Sequence, residues 1–132
     1  MKKIFLILCV VTTPLFAQQV ASIHSTSLTT LPPAFSWSMT VHDFGKIALN
    51  EPVSHEFRFT NSGNAPLIIS SVQASCGCTV TDYSKDPIAP GAEGFVKATY
   101  DAAKAGVFTK TVTVNANAEE SVVRLMIKGE VE

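Results

Sequence analysis

The chain has 132 residues, 46% of them apolar, and a formal net charge of −1 from 10 basic and 11 acidic side chains. That length suits one domain with a modest single core. No basic cluster is present, which argues against nucleic acid or an anionic membrane surface as partner.

Lys2 and Lys3 precede an unbroken apolar run over residues 4–11, and Leu15-Phe16-Ala17 offers a small residue just before Gln18. This three-part pattern reads as a secretory signal peptide over residues 1–17. The run is far shorter than the roughly 20 residues a membrane-spanning helix needs, so no transmembrane span is expected in the mature chain. The expected address is the periplasm or the cell exterior. Cys9 raises the alternative of a lipid-bearing N-terminal cysteine. Against it, Leu8 is bulky where a small residue is wanted, and the apolar run continues past the cysteine. Loss of Lys2 and Lys3 leaves eight basic residues against 11 acidic ones.

Residues 18–34 read as a polar tether, rich in Gln, Ser and Thr, with Pro32-Pro33 and no charged residue. Such a stretch buries too little apolar surface to offset its ordering entropy. From Phe35 the pattern changes, and residues 35–132 are expected to form the domain. Val53, His55, Phe57 and Phe59 alternate with Ser54, Glu56, Arg58 and Thr60, the period of a strand with one buried face. Asn61-Ser62-Gly63-Asn64 supplies turn residues. Leu67-Ile68-Ile69 is continuously apolar, as for a strand near the middle of the core.

Ser75-Cys76-Gly77-Cys78-Thr79 holds the two cysteines expected in the mature chain. In an extended strand, residues i and i+2 share a face about 6.6–6.8 Å apart. A disulfide prefers a Cα separation of roughly 5.5–6 Å. A flat strand therefore sets the pair at the limit of bridging, and Gly77 is expected to supply a bulge or turn. Three chemistries stay open: a local disulfide, two structural thiols, or a soft-metal clip for Cu(I). A zinc site would need His24, His42 or His55 to join, and their spacing matches no zinc pattern. His55, in phase with Phe57 and Phe59, reads as a half-buried strand residue with a hydrogen-bond partner. Met39 and Met126 read as core filler.

Pro87-Ile88-Ala89-Pro90-Gly91 breaks the pattern again. Gly94 reads as a strand-opening residue, after which Val96, Ala98 and Tyr100 alternate with Lys97 and Thr99. Residues 101–106 read as a loop. Phe108, Val112 and Val114 alternate with Thr109, Thr111 and Thr113. Glu119-Glu120 reads as a solvated hairpin tip, and Val123, Leu125, Ile127 and Val131 then oppose Arg124, Lys128 and Glu130. Helical stripes are absent over any useful length. The expected fold is all-β, an immunoglobulin-like antiparallel β-sandwich of about seven strands. Cys76 and Cys78 are too close in sequence to form the inter-sheet disulfide of antibody domains, and Trp37 lies too early to be their core tryptophan.

No paired acids, nucleophile elbow or phosphate-cradling loop appears. No enzyme activity, catalytic residue, cofactor or resident metal is expected.

An ordered series of residues carries a family likeness. It runs through His42-Asp43-Phe44-Gly45, Phe57-Arg58-Phe59-Thr60-Asn61, Gly63, Pro66-Leu67-Ile68-Ile69 and Ser75-Cys76-Gly77-Cys78-Thr79. It continues in Ile88-Ala89-Pro90-Gly91, Gly94, Tyr100, Gly106-Val107-Phe108-Thr109-Lys110 and Ile127-Lys128-Gly129. Together these resemble the exported bacterial family called domain of unknown function 1573, from about Val41 to Val131. Asn50-Glu51 departs from the pattern, where a glycine is common. The family looks related to immunoglobulin-like modules of cilium- and centrosome-associated proteins and of major sperm protein. The resemblance implies a β-sandwich with a binding or scaffold role toward a protein or envelope component, and it brings no reaction, ligand or catalytic residue. A thiol-redox or Cu(I)-handling role for Cys76 and Cys78 is the competing expectation.

Overall fold

The computed structural model describes Val10, Val11, Pro14 and residues 30–132. The expected cleavage point, Cys9, His24 and most of the polar tether lie outside the described residues.

Eight strands form two four-stranded sheets, with no helix among the described residues. They are β1 (Phe35–Trp37), β2 (Val41–Ile47), β3 (Val53–Asn61), β4 (Ile69–Ala74), β5 (Thr79–Tyr83), β6 (Glu93–Tyr100), β7 (Gly106–Ala116) and β8 (Val122–Val131). The first sheet has the order β1-β3-β6-β5 and is antiparallel throughout. The second has the order β2-β8-β7-β4, and its β2–β8 pair is parallel.

The expected sandwich is therefore present, with one more strand than anticipated and one parallel pair. Both differences have one cause. The chain enters the first sheet as β1, bends at residues 38–40, and leaves into the second sheet as β2. Ser38 still belongs to the first sheet, its amide and hydroxyl both donating to the Arg58 carbonyl at 3.1 Å. Thr40 already belongs to the second, its carbonyl accepting from the Met126 amide at 2.9 Å.

Alternation places the core between the sheets. Phe57 and Phe59 of β3, Val96, Ala98 and Tyr100 of β6, Val112 and Val114 of β7, and Val123, Leu125 and Ile127 of β8 are all buried. Each of the Phe, Val, Leu and Ile side chains contributes about 1.5–3 kcal/mol when fully buried. Leu67-Ile68-Ile69 departs from its reading as a central strand. Leu67 makes one isolated bridge to Ile88, Ile68 is 45% exposed, and β4 starts only at Ile69, on a sheet edge. The chain is crossing between sheets here, and a register shift separates Ile69 from Ser71.

Met39 and Met126 are not core filler. Met39 lies at the bend between β1 and β2 and is 45% exposed, and Met126 is half-buried on the outer face, between inward-facing Leu125 and Ile127. The end of the segment read as a tether lies against the domain. The carbonyls of Leu31, Pro33 and Ala34 accept from the amides of Asn64, Glu119 and Ser62 at 3.2, 2.7 and 2.9 Å. Backbone pairing of this kind leaves no mark in composition.

Candidate functional site

The cysteines occupy the turn that carries the chain from β4 in the second sheet to β5 in the first. Its start is anchored on β7: the Ser75 amide donates to the Thr111 carbonyl at 2.8 Å, and the Thr111 amide donates to Ser75 Oγ at 3.1 Å. Its end is anchored beyond β6, where the Asp101 amide donates to the Cys78 carbonyl at 3.0 Å. Between the anchors the Thr79 amide reaches the Cys76 carbonyl at 3.4 Å.

This turn brings Cys76 and Cys78 together, with Cα atoms 5.3 Å apart and sulfurs in direct contact. The separation falls inside the bridgeable range and below that of a flat strand. Gly77 contributes less than its position suggested. It is not among the residues with positive φ, and a Cβ built on it would meet nothing within 4 Å. The anchored turn itself supplies the approach. Both cysteines are half-buried; Cys78 packs against the core, and Cys76 Sγ lies 3.9 Å from Thr79 Oγ1.

A link closing so short a loop constrains the unfolded chain little, by about 1.6 kcal/mol in the chain-entropy expression. Replacing both cysteines with serine is expected to lower stability by no more than that, read from denaturant midpoints. A loss above about 3 kcal/mol would show the pair to be a principal staple instead.

His42 and His55 stand on the other side of the sandwich. Cys76 and Cys78 follow β4, one edge of the second sheet, whereas His42 lies on β2, its opposite edge. A zinc site joining the cysteines to His42 or His55 is thus not assembled. Among the described residues no group of three or more His, Cys, Asp or Glu side chains is placed to hold a metal ion.

His55 is half-buried on β3, as expected, but its anticipated hydrogen-bond partner is missing. Its Nε2 is buried and has none among the described residues. Its ring instead stacks on His42, centroids 3.8 Å apart and planes 6° from parallel. Burial holds the His55 imidazolium below its ordinary range, His42 pushes the same way, and Glu56 opposes them.

Two β-sheets facing across one apolar core, with the first strand divided between them, define an immunoglobulin-like or PapD-like sandwich. Solved structures with this fold include a protein of unknown function from Porphyromonas gingivalis, with TM-score 0.67 and 20% identity over 79% of this chain and 50% of that one. PapD-like domain 7 of human CEP192 gives TM-score 0.63 at 8% identity, over 76% of this chain and 87% of that one. The secreted serine protease VesC of Vibrio cholerae gives TM-score 0.57 at 15% identity, over 74% and 23%. The chain thus spans half the length of the first structure and under a quarter of the protease. Comparison with curated proteins finds no match. The family profile described as "Protein of unknown function (DUF1573)" matches residues 35–131, and the chain belongs to that family.

Proposed function

We propose that the chain is an exported, non-enzymatic binding or scaffold module of the cell envelope, engaging a protein or envelope component. The observation that carries this reading is the edge of the first sheet. Among the described residues β5 pairs with β6 on one side only, and on its outer face Val80 is 69% exposed. The run Thr79-Val80-Thr81 is β-branched throughout, and such an edge is a template for an added strand. The basic start and apolar run of residues 2–11 support export, and a likeness to a small share of a secreted protease supports a modular role.

The test places a photocrosslinking amino acid at Val80, or at exposed Glu119 as control, in the producing cell. A discrete adduct from position 80 alone, with unreacted monomer beginning at Gln18, is the expected result. Absence of an adduct from position 80, or equal labelling from both positions, overturns the binding surface. Monomer that retains Met1 overturns export.

A second reading, a thiol-redox or Cu(I)-handling protein, is favoured by one observation: the cysteine pair sits on a half-exposed turn and not deep in the core. Its signature is turnover of a small disulfide, or tight Cu(I) uptake by reduced protein, lost in Cys76→Ser. An inert pair leaves the binding reading alone.

A further inference from the structure

The seam between the sheets on the β1–β2 side is closed by aromatic rings from both. His42 comes from β2 in the second sheet and His55 from β3 in the first. Phe44 stands edge-on to His42, and Phe57 edge-on to His55, each at 4.6 Å between centroids. β8 sets Ile127 level with His42, and β6 sets Ala98 level with His55. The two imidazoles therefore stack inside an apolar frame.

Parallel rings direct their nitrogen lone pairs within separate planes, so the stack does not chelate a single metal ion. What it responds to is the proton. A neutral imidazole tolerates an apolar frame, whereas an imidazolium needs an acceptor or a counter-charge. Among the described residues His55 Nε2 has no acceptor.

The surrounding charges offer little compensation. Asp43 and Lys46 on β2, Arg58 on β3, Glu93 and Lys97 on β6, and Arg124, Lys128 and Glu130 on β8 are all exposed. Tyr100 of β6 is buried against Phe108 at 3.9 Å. Glu56 is the carboxylate that favours His55 protonation, and it is exposed and engaged with Arg58 at 3.0 Å. Two cations 3.8 Å apart would also repel each other.

β2 is the strand such repulsion would move. It is an edge strand, joined to β8 through a parallel ladder that is interrupted between Asp43 and Lys46. We propose that the His42–His55 stack is an acid-released latch: neutral, it fastens β2 to the first sheet, and protonated, it frees β2 from the sandwich edge while the rest stays folded. In the open form the His55 ring is returned to water, where an imidazole has its ordinary value of about 6.5. In the closed form His55 titrates lower, so the open form binds more protons. The closed form is fully favoured above the ordinary value, and that advantage is lost as pH falls through the closed-state value.

The test is amide hydrogen exchange on the mature chain at about pH 7.5 and about pH 5, with rates corrected for intrinsic pH dependence. The expected result is loss of protection at the lower pH in β2 and the β8 amides paired with it, with β5 and β6 unchanged. A double variant, His42→Phe with His55→Phe, keeps the stack without its protons and should retain protection at both pH values. Unchanged β2 protection in the native chain, or the same loss in the double variant, overturns the latch. Should the variant fail to fold, the His55 ring resonances of the native chain decide. A midpoint below the ordinary histidine value supports the latch, and one at or above it overturns it.

Discussion

Asn61→Ala is expected to lower the stability of the domain by about 3–5 kcal/mol, among the larger single-residue effects available to a small protein. Asn61 is 0% exposed, and its side-chain amide uses both of its ends. Nδ2 donates to the carbonyls of Ala65 at 2.7 Å and Ile88 at 3.0 Å. Oδ1 accepts from the amides of Ala34 at 3.3 Å and Gly63 at 3.0 Å. One side chain thereby ties the incoming segment, the β3–β4 loop and the β5–β6 loop to the end of β3. Truncation strands backbone groups of all three, and each buried group left unpaired costs about 1–3 kcal/mol. Urea denaturation reads the loss directly, with Ser62→Ala as a near-neutral exposed control. A loss under about 1 kcal/mol would mean that water replaces the amide without penalty.

Asn61→Asp separates the two ends of the same side chain. The new carboxyl keeps acceptors for Ala34 and Gly63 but turns an oxygen toward the carbonyls of Ala65 and Ile88. Folding then raises the carboxyl pKa above its unfolded value, because the ionised form is repelled while the protonated form can donate. The variant is expected to be weakest at neutral pH and to regain stability as pH falls through the raised value. A native chain without that carboxyl should show no such recovery.

Much of the fold is legible along the chain because one-sided burial writes itself as alternation. Val96, Ala98 and Tyr100 face inward as their spacing indicates, and so do Phe57, Val112, Leu125 and Ile127. The switch of sheets at residues 38–40 is not legible, since Ser38-Met39-Thr40 contains neither glycine nor proline and the bend is held by distant Arg58 and Met126. Parallel pairing of β2 with β8 is set by that switch, so it was hidden too. Asn61 reads as an ordinary turn former because its partners at positions 34 and 88 are remote. The histidine stack is illegible for a related reason: His42 and His55 meet only because two different sheets face each other. The spacing of the cysteine pair marks it for special chemistry but leaves open which chemistry that is. Its placement in an anchored turn depends on Thr111 and Asp101, which lie more than 20 residues away.

Phe59 and Gly94 should behave as one unit, and a double-mutant cycle is expected to show it. They are register partners on β3 and β6, and Gly94 is buried although its φ is not positive. Its reason for being glycine is steric. A Cβ there would lie 2.9 Å from Phe59 Cε2 and 3.1 Å from Ile88 Cγ1, so the Phe59 ring covers the space a side chain would need. The same ring anchors β1, with Phe35 edge-on at 4.8 Å and Trp37 tilted at 4.9 Å. Phe59→Ala is expected to cost about 3–5 kcal/mol, through lost burial and the cavity left behind. Because Trp37 is the one tryptophan in the chain, its fluorescence should shift to the red as β1 loses its anchor. Gly94→Ala alone should cost about 1–3 kcal/mol from overpacking. Together the two changes are expected to cost at least about 1 kcal/mol less than their sum, because the new methyl enters space the ring has vacated. Strict additivity would show that the Phe59 ring is not what excludes a side chain at position 94. The native pairing would then owe its fit to Ile88, whose contact with the new methyl survives the loss of Phe59.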